Sequence, residues 1–293
     1  MPKTQREGFI PVPGGNVWFR MFGADKPGTP LLVLHGGPGI PHDYLLPVSA
    51  LADERPVVFY DQLGCGNSDK TEDHSLLTVE RFIEELARVR AALGLDTVHI
   101  LGQSWGSMLA VEYMLAKPPA GVRSLILSGP CLSASRWKAD QRQYVSELPK
   151  KTRETILRNE AAGTFSDPEY QDAMMEYYRL HVCRLDPWPD CLMRSMERFA
   201  LPVYQYMWGP SEFTITGTLR GFECSERLRR ISAPVLFTCG RYDEATPGTT
   251  AYYQEMLPGS ELRVFENASH SHHLEQEPEY LAVVRKFLAE HDG

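Results

Sequence analysis

Val98-His99-Ile100-Leu101-Gly102-Gln103-Ser104-Trp105-Gly106 is the stretch on which the reading of this chain turns. Val98 to Leu101 is a short apolar-rich run of the kind that a strand buried on both faces requires. A helical pattern follows from about Ser107 to Ala116, stopped by Pro118-Pro119. Between them lies G-x-S-x-G. A serine on so sharp a strand-to-helix turn needs glycine on either side, because the flanking positions leave no room for a Cβ. The turn pushes Oγ out at the carboxyl end of the sheet, where open α/β folds bind ligands. The helix directs its first N–H groups at the same spot. Five residues with three fixed positions are a weak signal alone. A buried strand before them and a helix after them make Ser104 a candidate nucleophile rather than an ordinary turn serine.

Working outward, the same rhythm recurs. Leu31-Leu32-Val33-Leu34 and Pro56-Val57-Val58-Phe59-Tyr60 are continuous apolar runs of strand length. Phe9 to Val12 and Val17 to Phe22 alternate around Pro13-Gly14-Gly15-Asn16 and read as an antiparallel hairpin. Leu76 to Leu93 carries Val79, Phe82, Ile83, Leu86, Val89 and Leu93 at helical spacing, closed by Gly94. Val122 to Leu127, Pro234 to Thr238 and Leu262 to Phe265 are further strands, with helices near Thr249 to Met256 and from Pro278 to His291. Alternating strands and helices mean right-handed crossovers and a mostly parallel sheet of the α/β class, with eight strands once the hairpin is counted.

From about Cys131 to Cys224 the rhythm gives way to helical periodicity with no convincing buried strand. The chain therefore reads as one α/β core, residues 1–130 and 225–293, interrupted by a helical cap over 131–224. The cap holds 13 of the 30 aromatic residues and five of the ten methionines. Its 12 Lys+Arg against 13 Asp+Glu leave it at -1, so -7 of the chain's net -8 falls on the core. An aromatic, nearly neutral lid over an acidic core suits a pocket for an apolar side chain beside an ammonium. The same aromatics also suffice to pack a small core of the lid's own.

A serine hydroxyl is a weak nucleophile and needs a base, which in turn needs an orienting acid. In this architecture the chain order is Ser, acid, His. The run Pro234–Thr238 leads to Cys239-Gly240-Arg241-Tyr242-Asp243-Glu244, so Asp243 is the first candidate and Glu244 its rival. The run Leu262–Phe265 leads to Ser269-His270-Ser271-His272-His273; His270 lies closest to the strand end, with His272 next. A metal-binding reading of these histidines finds no acidic or thiol ligand pattern to support it, and none is assigned. Acyl transfer also needs N–H donors for the tetrahedral oxyanion. The N–H of Trp105 follows the nucleophile. The second donor comes from His35-Gly36-Gly37-Pro38-Gly39, as Gly37 or alternatively Gly36.

Together, His35-Gly36-Gly37-Pro38-Gly39, Asp61 to Asp69, Gly102 to Ser107 and Gly240 to Glu244 resemble the proline iminopeptidase family of α/β-hydrolases over about residues 8 to 290. The nearer resemblance is to the branch holding the tricorn-interacting aminopeptidase and the L-amino acid amidases. It implies the α/β-hydrolase fold, no metal or organic cofactor, and release of an N-terminal residue from short peptides or amino acid amides. It also implies that Glu212, within Gly209 to Gly217, and Glu244 bind the substrate's ammonium, and that His270 takes the catalytic place. Strict prolyl enzymes commonly carry Arg and Gly where this chain has Leu63 and Gln103, which implies broader specificity. An esterase, or a non-catalytic binding protein of the same fold, is the alternative.

Other partners are excluded by composition. A net charge of -8 argues against nucleic acid. The apolar runs fall well short of the ~20 residues of a membrane-crossing helix. Met1 to Glu7 lacks the apolar region of a secretory signal. Six cysteines with no Cys-x-x-Cys pair point to reduced thiols and a cytoplasmic setting. Cys65 is expected near the site, either thiol-reactive or buried and inert. The small-molecule partner is the substrate, and the sequence fixes no oligomeric state.

Overall fold

The continuous apolar runs form the centre of a sheet. The computed structural model describes residues 5–116 and 120–292, so the expected stop at Pro118-Pro119 lies outside the described residues. The strands are β1 (Gln5–Val12), β2 (Gly15–Phe22), β3 (Leu31–Leu34), β4 (Val57–Tyr60), β5 (Val98–Gln103), β6 (Val122–Ser128), β7 (Val235–Gly240) and β8 (Glu261–Phe265). They lie in the order β1-β2-β4-β3-β5-β6-β7-β8. β1/β2 and β2/β4 pair antiparallel and every other pair is parallel. Winding reverses between β3 and β5, and that switch point is where an α/β sheet opens its ligand crevice.

The helices are α1 (Val79–Leu93), α2 (Trp105–Ala116), α3 (Ala134–Glu147), α4 (Lys150–Ala162), α5 (Pro168–His181), α6 (Asp190–Glu197), α7 (Leu201–Met207), α8 (Pro247–Met256), α9 (His272–Glu275) and α10 (Glu277–Glu290). α1 starts at Val79 rather than Leu76 because Thr78 caps it, its side chain accepting the Arg81 N–H at 3.3 Å. Gly94 ends it in the left-handed conformation, as its sequence position implied. α2 begins at Trp105, two residues before the expected start, so Ser104 is itself the junction between strand and helix. The 3-10 helix His42–Asp53 and the short α9 have no counterpart in the sequence reading.

Alternate residues of each central strand feed two cores. Leu32, Leu34, Val58, Ile100 and Leu125 pack with Phe82 and Leu86 of α1 and Met108 of α2. Leu31, Val33, Val57, Leu101 and Ile126 pack with Leu45, Leu51 and, from α10, Val284 and Phe287. Each such fully buried aliphatic side chain is worth roughly 1.5–3 kcal/mol.

Helices α3 to α7 form the insertion between β6 and β7. An antiparallel bridge between Ser133 and Glu223 closes its neck. Val145, Ile156, Tyr170, Tyr177 and Phe213 pack a core within it, while Trp137, Tyr204, Met207 and Trp208 join the main core. The cap aromatics therefore pack a small core of the cap's own and also extend the main core. Ser195 fastens α6 to the 3-10 segment, donating from Oγ to Pro41 O (3.0 Å) and accepting the Tyr44 N–H (2.9 Å). Among the described residues no helix is long and apolar enough to cross a membrane.

Candidate active site

Ser104 has φ +53° and is the one non-glycine residue with positive φ among the described residues. Such strain persists only where its surroundings fix it. A Cβ on Gly102 would press well inside contact distance of Gly106 O, and one on Gly106 would do the same with Leu34 O. The Ser104 N–H donates to Ser128 O at 2.9 Å, and its carbonyl accepts the Ser107 hydroxyl at 2.5 Å. The steric demand read from G-x-S-x-G is thus met by two specific backbone collisions.

The loops after β7 and β8 bring Asp243 and His270 together. His270 Nδ1 lies 2.7 Å from Asp243 Oδ1. Asp243 also accepts the Ala245 N–H on Oδ1 (2.7 Å) and the Gly240 N–H on Oδ2 (3.1 Å). Burial raises the pKa of Asp243, but His270 and His272 outweigh that and hold its carboxyl well below the usual range. Burial alone lowers the pKa of His270, yet Asp243, by charge and hydrogen bond, brings it above the ordinary value. The edge of Trp137 packs on the His270 ring with centroids 5.9 Å apart.

The two rival histidines point elsewhere. His272 Nδ1 is 3.5 Å from Asp243 Oδ2, and its Nε2 meets Ser128 Oγ and Thr238 Oγ1, each at 2.9 Å. This gives a second Ser-His-Asp alignment, Ser128-His272-Asp243. Ser128 and His272 are both fully buried, and Ser128 Oγ also accepts from Tyr280 OH at 3.3 Å. His273 Nε2 lies against Tyr44 O at 3.1 Å, and burial, followed by the neighbouring His272, takes its pKa down to about 3. Ser104 and His270, by contrast, border an open cavity of about 370 Å³.

Glu212 and Glu244 line the same cavity. Glu212 sits between the buried Ser211 and Phe213 and accepts the Tyr204 hydroxyl on Oε1 at 2.6 Å. Glu244 is 2% exposed. Its Oε1 lies 3.6 Å from His270 Nε2, while Oε2 has no hydrogen-bond partner. Burial pushes both carboxyls above their ordinary pKa, and the charge of Glu212 pushes Glu244 further. An unsatisfied buried carboxylate beside a second one is an arrangement that a cation relieves. Nothing in the sequence marks Tyr204, which orients Glu212.

Gly37 borders both the cavity and a recess of about 10 Å³ lined by Trp105, Trp137, Trp208 and Cys131. The N–H of its alternative, Gly36, already donates to Tyr44 OH at 2.8 Å. Cys65 is buried, and its thiol pKa is pushed far up by that burial, so it is the inert thiol of the two expectations. His35, Asp61 and Cys65 offer ligand atoms within 4.8 Å of one another. These atoms are already engaged: His35 Nε2 accepts the Gln62 N–H at 2.9 Å, and Asp61 Oδ1 accepts from His42 at 2.8 Å. That cluster locks the loop after β4.

Comparison with known proteins follows the same lines. Residues 29–277 match the family model for the alpha/beta hydrolase fold. The chain is 48% identical over 283 residues to a proline iminopeptidase of Heyndrickxia coagulans, covering 96% of this chain and 98% of that one. It superposes on the crystal structure of a proline iminopeptidase from Mycobacterium smegmatis with a TM-score of 0.91 and 38% identity, over 98% and 99% of the two chains. It superposes on that of VinJ with a TM-score of 0.93 and 35% identity, over 99% and 100%.

Proposed function

Because the chain belongs to the proline iminopeptidase family of α/β-hydrolases, we propose that Ser104, His270 and Asp243 release the N-terminal L-amino acid from short peptides or amino acid amides. The enzyme is a serine hydrolase of the Ser-His-Asp, acyl-enzyme type. Ser104 Oγ attacks the carbonyl carbon of the first residue while His270 Nε2 takes its proton. Asp243 fixes the Nδ1–H tautomer and stabilises the imidazolium. The N–H groups of Gly37 and Trp105 receive the oxyanion. His270 then hands its proton to the leaving amine, and water enters by the same route to free the amino acid. Glu212 and Glu244 hold the substrate ammonium by charge-assisted hydrogen bonds and close off the space that a longer N-terminal extension needs.

The observation that carries this reading is the cavity shared by Ser104, His270, Glu212 and Glu244. Its wall of Phe165, Met174, Tyr178, Trp188 and Phe199 suits an apolar residue. Leu63 and Gln103 favour a range of N-terminal residues over proline alone. We place the enzyme in the cytoplasm on the strength of six unpaired cysteines.

The test is a panel of Pro, Ala, Leu and Phe arylamides and amides with N-acetylated controls. Ser104→Ala is expected to lower kcat by at least about 10⁴-fold. Acetylation removes the ammonium and is expected to lower kcat/KM on the order of 30- to 5000-fold, which corresponds to roughly 2–5 kcal/mol. Equal turnover of free and acetylated substrates, or preference for simple esters, shows an esterase instead.

A further inference from the structure

The structure assigns to Gln103 a positioning role: its side-chain amide holds neutral His270 at Nε2 and yields that lone pair to the Ser104 hydroxyl once substrate is seated. The inference rests on the reading of Ser104 as nucleophile.

Four hydrogen bonds run in one direction across the site. The Gly36 N–H donates to Tyr44 OH at 2.8 Å, and Tyr44 OH donates to Gln103 Oε1 at 2.5 Å. Gln103 Nε2 lies 2.8 Å from His270 Nε2, and His270 Nδ1 lies 2.7 Å from Asp243 Oδ1. The orientation of the amide follows from its neighbours. Tyr44 spends its one hydroxyl proton on Oε1, having already accepted from Gly36, so the NH₂ end faces the imidazole. A donor at Nε2 requires a lone pair there, so the ring carries its proton on Nδ1, facing the acid. That is the tautomer a general base needs. Gln103 is 3% exposed, so this bond is sheltered from competing water.

The same bond occupies the lone pair that must accept the Ser104 proton. Base catalysis moves that proton from Ser104 Oγ to His270 Nε2 and later to the leaving amine. A protonated Nε2 and an amide N–H cannot face each other, because both donate. Gln103 therefore has to leave Nε2 before Ser104 is deprotonated, and while in place it opposes protonation of the ring. Charges that favour protonation act on the same ring from Asp243, from Glu244 and Glu212 at the cavity, and from Glu275 of α9. His272 and His273, also of α9, stand nearby. The variants below leave all of these unchanged.

The test uses a small neutral fluorophosphonate without an amine, so that substrate ionisation does not enter the profile and no ammonium engages the carboxylate pair, whose charge acts on His270 alike in wild type and variant. Its second-order rate of inactivation is followed against pH, and the labelled peptide is identified by mass. With Gln103→Met, similar in volume and without the donor, the acid limb is expected to move up by about 0.5–1 pH unit. Gln103→Glu, with a carboxylate at Nε2, is expected to move it further. A Gln103→Met limb at the wild-type position, with Ser104 labelled, overturns the inference alone. A label elsewhere overturns the reading of Ser104 and the inference with it. If circular dichroism shows that Gln103→Met does not fold, Tyr44→Phe decides. It frees Oε1 and is expected to shift the limb in the same direction by a smaller amount, and an unmoved limb overturns the proposal.

Discussion

Asp243 is fully buried yet ionised, because two imidazoles and two backbone N–H groups converge on its oxygens. Its carboxylate is shared between an imidazole bordering the cavity, His270, and one sealed in the core, His272. Sequence order reduced the choice to three histidines but could not give side-chain direction, which depends on α9, a four-residue helix with no sequence signature. The buried alignment through Ser128 makes a sharp prediction. Ser128 sits in a strand with its hydroxyl committed to His272 and Tyr280, so Ser128→Ala is expected to change kcat/KM by less than about threefold, since Thr238 still meets His272 Nε2. Asp243→Asn frees the imidazole to take the wrong tautomer and is expected to lower kcat by about 10⁴-fold. Steady-state kinetics on one aminoacyl arylamide measures both. If Ser128→Ala is as damaging as Asp243→Asn, the nucleophile is Ser128 at the end of β6 and not Ser104 after β5.

At the scale of elements, the strand-to-helix junction is stiff because backbone packs on backbone. A Cβ at Gly106 would collide with the carbonyl of Leu34 in β3, and neither main chain can turn aside as a flexible side chain would. Gly106→Ala is therefore expected to destabilise by roughly 2–4 kcal/mol, read as a lower midpoint in urea, and to reduce kcat by displacing Ser104 and the Trp105 N–H. β3, β4, β5 and β7 were legible because burial on both faces forces short, apolar-rich runs, and α1 because its period and its Gly94 stop agree; the edge strand β8, with Glu261 and Arg263 exposed, was legible only from its place in the βα rhythm. The 3-10 segment His42–Asp53 was not. Pro47 interrupts its pattern, and its buried residues, among them His42, Asp43 and Tyr44, are held by tertiary partners such as Asp61 and Ser195. The candidate residues that the structure gathers at strand ends, Ser104, Asp243 and His270, were readable from chain order. Tyr44 and Tyr204 were not, because their roles exist only once distant loops are brought together.

Across the whole molecule, the insertion lines the cavity and supplies half of a buried carboxylate pair that is held at a cost. Glu212 comes from the insertion and Glu244 from the loop after β7; each is raised above its ordinary pKa, chiefly by burial. The sign of the linkage is definite. A carboxyl whose folded pKa is raised binds more protons folded than unfolded between about 4.5 and the raised value, so stability falls as pH climbs through that window, and above it the full penalty remains. His270, also raised, loses its stabilising contribution in the same direction as pH rises. The comparison must therefore be between variant and wild type at each pH. Glu244→Gln removes one charge and keeps the volume. It is expected to raise the melting temperature at pH 8, by an amount equivalent to roughly 1–3 kcal/mol, and to change it much less at pH 5. On the proposed role of the pair, the same variant is expected to bind an amine-bearing substrate or product far more weakly, because the ammonium loses one of its two carboxylate partners. Thermal melts at the two pH values, with and without a free amino acid, measure all of this. The ligand should stabilise wild type at pH 8 and leave the variant nearly unmoved. A Glu244→Gln variant that melts below wild type at pH 8 shows a carboxylate that supports the fold rather than one held in readiness for substrate.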